Sequence, residues 1–489
     1  MSSPARSWSR MRQATASRYC SRKTESPSAS LKARPRSPSV NHWGRGYEPV
    51  IVVGRILSRV ATSIGAKLPE KEGLMRRRAF LVAMGAAALG LAGRPRLPRA
   101  AERGPIRIGY FGPLTGNFSQ TGKDMTDGFN LFWEEVGHKV AGREVRVIVA
   151  DSDPEPTGAL TKVRLLVEQE KVHTVAGGLL AATGYAIAPY LEQNKIPTVY
   201  PVMAPDDITQ RKPVRWIVRT SFAGSQVTHP LGDYASKRLG LRRMATISMD
   251  YAFGWESNGG FQRVFEELGG KVVQRIWTPL NVQDYAPYLA SLKRDVDGVY
   301  ACHTGGLSPR FLKAWSDAGL KGKIPLVGVG TLTDENVLKG MGDEALGVIT
   351  SLIYSAALDT PANKKFSASY GKRHKRTTSI YSAEGYTAAR FYYDALRAVD
   401  GDAEDKERFL AALRKVEITD DARGPLKMDE LGNPIQNVYI RTVERVDGQL
   451  QNSVIHTYPN VSQFWTYGKG EYLKAPPYDR NYPPCTFCE

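Results

Sequence analysis

The residues with the most chemistry available to them are four cysteines and seven histidines, and their spacing argues against a catalytic or metal centre. His42, His138, His173, His229, His303, His374 and His456 are scattered, with none of the close ligand spacing that a zinc site uses. Cys485 and Cys488 make a single C-x-x-C, which supplies half of a four-ligand set. Cys302 ends an apolar run and reads as a small buried thiol, and Cys20 stands apart near the beginning. "GVGTLT" (328–333) lacks the third glycine and the following acid of a dinucleotide loop. HExxH, GxSxG and Walker patterns are absent from the sequence. Binding without turnover is therefore the expected chemistry: no enzyme, no cofactor and no metal, with an exported hydrolase as the alternative from the enzyme class.

Binding has a clearer signature. Short apolar runs end in segments rich in glycine and small residues: 112–122, 177–183, 203–205, 250–254, 303–305 and 328–331. Small residues let backbone come close to a solute. In open parallel sheets ligands bind beyond the carboxyl ends of strands, where loops and helix N-termini present N–H groups. His303 falls at such an edge and is a candidate ligand contact.

These segments need a scaffold, and the periodicity supplies one. "IRIGYFG", "VRVIVAD", "HTVAGGL" and "IPTVYPV" alternate with helix-length amphipathic stretches at 123–136, 158–170 and 184–193. The alternation restarts after "WIVRTSF" with "MATISMD", "KVVQRIW", "GVYACHT" and "PLVGVG", separated by helical stretches at 256–268, 285–293 and 309–319. Strand, helix, strand in units of roughly 30 residues implies right-handed crossovers and a parallel sheet. The fold class is therefore α/β, two doubly wound parallel-sheet lobes joined by a multi-strand hinge. The helices after Pro361 are assigned to the first lobe, which places crossings near Ser221, near Ser351 and after "GPLKMDELGNP". The expected domains are residues 105–221 with 353–435 for lobe 1, and 222–352 with 436–465 for lobe 2. Residues 466–489 form an aromatic, proline-rich tail expected to lie extended on a lobe surface.

Charge separates the front from the rest. Residues 1–104 hold 21 Lys+Arg and 5 Glu, +16 of the total +18, while the remainder balances 46 basic against 44 acidic residues. The high isoelectric point thus belongs to the front and gives no basic face for nucleic acid. Residues 1–74 are rich in Ser, Arg and Pro and too poor in apolar positions to offset chain entropy. They read as a disordered basic extension ahead of the true start at Met75. From there "MRRRAFLVAMGAAALGLAG" has the basic and apolar regions of a secretory leader. Arg77, Arg78, Phe80 and Leu81 fit the twin-arginine pattern, so residues 75–104 are expected to be a signal peptide of that type. The apolar run is too short for the roughly 20 residues of a membrane-spanning helix.

"IRIGYFGPLTGNFSQTG", "VRTSFAGSQ", "ISMDYAFGWESNGGFQRVFEELGGKVV" and "GPLKMDELGNP" resemble the branched-chain amino acid and amide-binding family of periplasmic solute-binding proteins. The resemblance runs from about Ile106 to Val446. It implies a type I periplasmic binding protein clamshell that captures a solute in the periplasm and delivers it to an ABC permease in the inner membrane. A monomer is expected. A sensor that hands its closed form to a signalling protein is the alternative within the same fold.

The resemblance also implies positions for the ligand contacts. Phe118, Gln120 and Thr121 follow the first strand, and the family's carboxylate-binding loop falls on Ala181, Ala182 and Thr183, of which only Thr183 keeps a hydroxyl. Met203 and Ala204, His303 and Thr304, and Gly330 and Thr331 follow later strands. Phe253 stands where the family usually has a tyrosine, and Tyr381 where another aromatic lines the site. Amino-acid binders of the family place a glutamate opposite the ligand's ammonium, and here that position is Gly330. Asp334 is expected to cap the next helix instead of replacing it. An ammonium without a carboxylate would be buried unpaired. The expected solute is therefore a carboxylate or neutral compound, aromatic ones included, in preference to a free amino acid.

Overall fold

The computed structural model describes residues 103–152 and 155–488. The basic extension and the leader expected from the sequence lie outside the described residues.

The first sheet is built around β1 (Ile106–Gly112), whose run of apolar residues is what a strand covered on both faces needs. It pairs in parallel with β3 (Arg143–Asp151) on one side and β4 (Thr174–Gly177) on the other. With β2 (Lys139–Val140), β5 (Thr198–Tyr200) and β6 (Ile217–Arg219) the order is β2-β3-β1-β4-β5-β6. Only β2, folded back on β3, runs antiparallel. The order reverses at β1, so the loops after β1 and β4 diverge and leave a crevice. Helices α1 (Ser119–Glu135), α2 (Pro156–Arg164) and α3 (Ala181–Gln193) make the connections.

The second sheet repeats the plan. β7 (Arg243–Met249) is flanked in parallel by β8 (Lys271–Thr278) and β9 (Gly298–Cys302), and β10 (Leu326–Val329) and β11 (Ile349–Leu352) continue beyond β9. Its connections carry α4 (His229–Lys237), α5 (Ala252–Glu267), α6 (Ala286–Ala290), α7 (Leu307–Asp317) and the short α8 (Glu335–Leu338). The chain then returns to the first sheet with α9 (Pro361–His374), α10 (Ile380–Ala398) and α11 (Lys406–Leu413). Tyr392 on α10 donates to the Val175 carbonyl of β4 at 2.7 Å. Close approach of α1 and α10 depends on two glycines: a Cβ on Gly128 would lie 2.0 Å from the Ser382 carbonyl oxygen, and one on Gly385 2.1 Å from that of Met125.

The last strands close the second sheet. β12 (Glu417–Ile418), β13 (Leu426–Met428) and β14 (Pro434–Val446) add antiparallel beside β11, and β15 (Gln449–Val461) pairs with β14. β12 and β13, within the stretch that the sequence reading assigns to the first lobe, therefore hydrogen-bond into the second sheet. Asp447 and Gly448, at φ 48° and 76°, make the two-residue turn between β14 and β15, as Asp-Gly suits a hairpin. Gln226, in the crossing from the first sheet, donates to the carbonyls of Pro434 and Val461. Gln436 donates to the Ser221 carbonyl at 2.6 Å, so the strands between the lobes are tied side to side.

The tail is not simply extended. α12 (Lys469–Tyr472) interrupts it, and Tyr472 and Tyr478 are buried. Arg263 of α5 lies 3.9 Å from the centre of the Tyr467 ring, and Tyr478 meets His229 at 3.2 Å. Arg211, between β5 and β6, donates to the carbonyls of Ala475 and Tyr472. Cys485 and Cys488 form a disulfide. The tail's tyrosines thus form, with Phe464, a small core of their own, satisfied by arginines and one histidine.

Candidate functional site

A cavity lies where the strands of both sheets end, with about 410 Å³ of empty space between atoms, part of it open to solvent. The first lobe contributes Leu180 and Ala181 after β4, Ala204 after β5, and Tyr381 and Glu384 from α10. The second contributes Tyr251 and Phe253 after β7, Thr304 after β9 and Thr331 after β10. Phe222, in the crossing between them, completes an aromatic side, its ring centre 6.3 Å from that of Phe253.

Six of the positions expected from the sequence stand together in this wall: Ala181, Ala204, Phe253, Thr304, Thr331 and Tyr381. Phe118 stands farther out, lining a wider cleft with Thr115, Asp151, Lys162 and Leu280. Leu180 borders both spaces and so marks where the cleft meets the cavity. Gln120 is exposed and donates to Asp124 at 3.0 Å. The Thr121 hydroxyl accepts from the Asn336 amide at 3.1 Å, a contact between lobes. Ala182 and Thr183 lie in the first turn of α3, Thr183 buried and Ala182 partly so. Met203 packs beneath Gly178, in the core.

His303 is neither solvated nor in the cavity wall. Its ring packs 4.4 Å from that of Phe311, Nδ1 meets the Tyr285 hydroxyl at 3.3 Å, and burial pushes its pKa down to about 3. Gly330 also lies behind the wall. A Cβ there would fall 2.4 Å from Leu352 Cβ and 2.6 Å from Arg441 Nη2, so packing explains the glycine. Asp334 caps α8 by accepting from the Asn336 N–H at 3.1 Å, and its other oxygen accepts from the Ile380 N–H of α10 at 3.0 Å.

Three helices begin at the cavity, and they are capped differently. Ser379 and Ser382 form a reciprocal capping box on α10. The N-caps of α3 and α5 are Leu180 and Tyr251, and neither makes a side-chain cap hydrogen bond. The N–H groups of Ala181 and Ala182 in α3, and those at the start of α5, have no partner within the helix, and each helix adds its positive dipole end. One uncapped N-terminus therefore faces the cavity from each lobe.

Glu384 is the polar group that the sequence reading missed. It is 1% exposed, and neither carboxyl oxygen has a hydrogen-bond partner. Burial holds its carboxyl well above the usual carboxylate range, with Arg423 opposing that rise and Asp334 reinforcing it. The signal was its position three residues after Tyr381, which on a helix puts both side chains on one face. Tyr251 was missed as well, since it was read as part of the loop rather than as the cap of α5.

Two parallel-sheet lobes that meet around a small cavity at their strand ends define a solute-binding clamshell. A family profile described as periplasmic binding protein matches residues 105–449. Leu/Ile/Val-binding protein homolog 6 of Brucella melitensis is 31% identical over 369 residues, covering 73% of this chain and 93% of that protein. An ABC transporter substrate-binding protein from Sphaerobacter thermophilus superposes with a TM-score of 0.70 at 33% identity, over 73% of this chain and 99% of that one. A solute-binding protein of an ABC transporter from Rhodopseudomonas palustris, solved with 3,4-dihydroxybenzoic acid, gives 0.70 at 32% identity, over 73% and 98%. The chain belongs to the periplasmic binding protein family, in the branch of the branched-chain amino acid-binding proteins. It is a solute-binding receptor of an ABC importer.

Proposed function

We propose that the solute is a carboxylate with an aromatic or apolar body. The observation that carries this reading is the pairing of uncapped helix N-termini with aromatic rings in one cavity wall. The N–H groups of Ala181 and Ala182 at the start of α3 receive the carboxylate, and Phe253 and Phe222 pack on the body. That the Rhodopseudomonas neighbour was solved with a dihydroxybenzoic acid supports the same class. The name of the Brucella relative points instead to aliphatic amino acids, and the two are separable by experiment. The contact residues proposed are the six in the wall, with Phe118 and Thr121 at the cleft between the lobes.

The wider setting is part of the proposal. Residues 75–104 direct export through the twin-arginine route, and the mature protein works in the periplasm as a monomer, releasing its solute unchanged to an inner-membrane permease. Among the described residues no helix is long and apolar enough to cross a membrane.

A ligand that binds only the native state raises the melting temperature by mass action. Benzoate should raise it, and leucine and isoleucine at the same concentration should not. Stabilisation by the amino acids alone would overturn the ligand class.

A further inference from the structure

Glu384 is unusual among the lining residues because it is fully buried, carries two unpartnered oxygens and borders a space otherwise bounded by apolar groups and hydroxyls. The Tyr381 and Thr304 hydroxyls beside it are engaged with each other at 2.7 Å. Buried Arg423 pairs through Nε with Asp421 at 3.3 Å, while both its Nη atoms lack hydrogen-bond partners. A buried polar group left unpaired is costly, and a solute that supplies the partner recovers that cost.

We infer that Glu384 is a specificity-determining residue that hydrogen-bonds a hydroxyl group on the body of the solute. This rests on the carboxylate reading above and adds a second polar group to the solute. Three candidate partners can be compared. A second carboxylate on the solute suits Glu384 only when Glu384 is protonated, since two buried anions would repel. An ammonium suits it only when ionised, whereas burial favours the neutral acid and Arg423 is already paired with Asp421 at 3.3 Å, so an ammonium beside the neutral acid would be an uncompensated buried charge. A hydroxyl suits both states, donating to the ionised carboxylate and either donating to or accepting from the neutral acid. A site that hydrogen-bonds a ligand hydroxyl discriminates strongly against the analogue lacking it, because the site's polar group is left unpaired.

Calorimetry tests this with benzoate, 4-methylbenzoate, 3-hydroxybenzoate, 4-hydroxybenzoate and leucine, on the wild type, Glu384→Gln and Glu384→Leu. The wild type should bind at least one hydroxybenzoate about tenfold or more tightly than benzoate and 4-methylbenzoate. Glu384→Leu should abolish that preference and leave benzoate within about threefold, and Glu384→Gln should keep part of it. The affinities are read as ratios between ligands on one protein, so a fall in the folded fraction cancels, and Glu384→Gln alone decides the matter if the leucine variant does not fold. Equal binding of benzoate and hydroxybenzoates by the wild type, or equal weakening of both by the substitutions, overturns the role of Glu384 while leaving the carboxylate reading in place. Tight binding of leucine that Glu384→Gln destroys makes Glu384 an ammonium partner and overturns both. Failure of every benzoate to bind also overturns both.

Discussion

The hydroxyls of Thr304 and Tyr381 stand 2.7 Å apart, one from each lobe, in the wall of the same cavity. Tyr381 is fixed from below by α10, whose N-terminus is held by its own capping box and by Asp334 of the opposite lobe. The bond thus joins two well-positioned groups and favours the closed arrangement over an open one. Tyr381→Phe keeps the ring and removes the bond. Affinity for the solute should fall by about 3- to 10-fold, the worth of one hydrogen bond of about 0.5–1.5 kcal/mol. The fraction of closed molecules seen by solution scattering with subsaturating ligand should fall with it. Unchanged affinity and scattering would show that the contact does not contribute to closure.

Phe253 carries the aromatic wall from the second lobe. Phe253→Ala should weaken binding of an aromatic carboxylate by about 1–3 kcal/mol through lost burial and ring contact. A smaller aliphatic acid should lose less. Calorimetry with benzoate and with a short-chain aliphatic acid distinguishes the two, and equal losses would point to a general disturbance of the cavity.

His229 links pH to stability through the tail. It is fully buried, with Nε2 3.2 Å from the Tyr478 hydroxyl, and burial, aided by Arg263, lowers its pKa to about 3. The unfolded chain protonates this histidine near its ordinary value of about 6.5, so between those values the unfolded state holds more protons. Stability contributed at this site is complete above about pH 6.5 and is lost as pH falls, by up to about 1.4 kcal/mol per pH unit. His229→Gln should be less stable than the wild type at pH 8, and its deficit should shrink below pH 6.5. Urea melts of both proteins at pH 8, 6 and 5 measure it, and a deficit constant across that range contradicts the assignment.

Export is testable without the folded domain. A reporter joined to residues 75–104 should leave the cytoplasm, and lysine at both Arg77 and Arg78 should stop it. Export of the double variant by the general secretory route would exclude the twin-arginine pathway.

The two-sheet plan was legible because parallel strands covered on both faces leave long apolar runs, and helices between them leave a different period. The strand ends were legible too, since close approach of backbone selects small residues. Boundaries were harder at the site itself. "SQTG" and "AFG" read as loop because they follow strand ends and contain glycine, yet they form the first turns of α1 and α5. His303 looked like a cleft residue from its place after β9, but its ring turns into the packing of α7, which strand position alone cannot reveal. Glu384 was invisible to a search along strand ends because it comes from the second turn of α10, the helix that returns from the other lobe. The tail was misjudged because its aromatics bury one another only after Arg263 and Arg211 are brought from distant segments.

The crowding behind Gly330 has a bearing on how this receptor can diverge. Two of the four glycine codons are one base from a glutamate codon, so a change to the residue that amino-acid binders use can be genetically near. Sterically it is remote, because the new side chain would begin within the van der Waals shell of Leu352 and Arg441. Arg441 is itself anchored to the carbonyls of Gly330 and Tyr354 and to the Thr350 hydroxyl. Descendants that gain a carboxylate at this position must first lose bulk at 352 or 441, and intermediates on that route surrender buried contacts before any new ligand rewards them. A carboxylate placed here would have to displace Leu352 or Arg441 before it could reach a ligand.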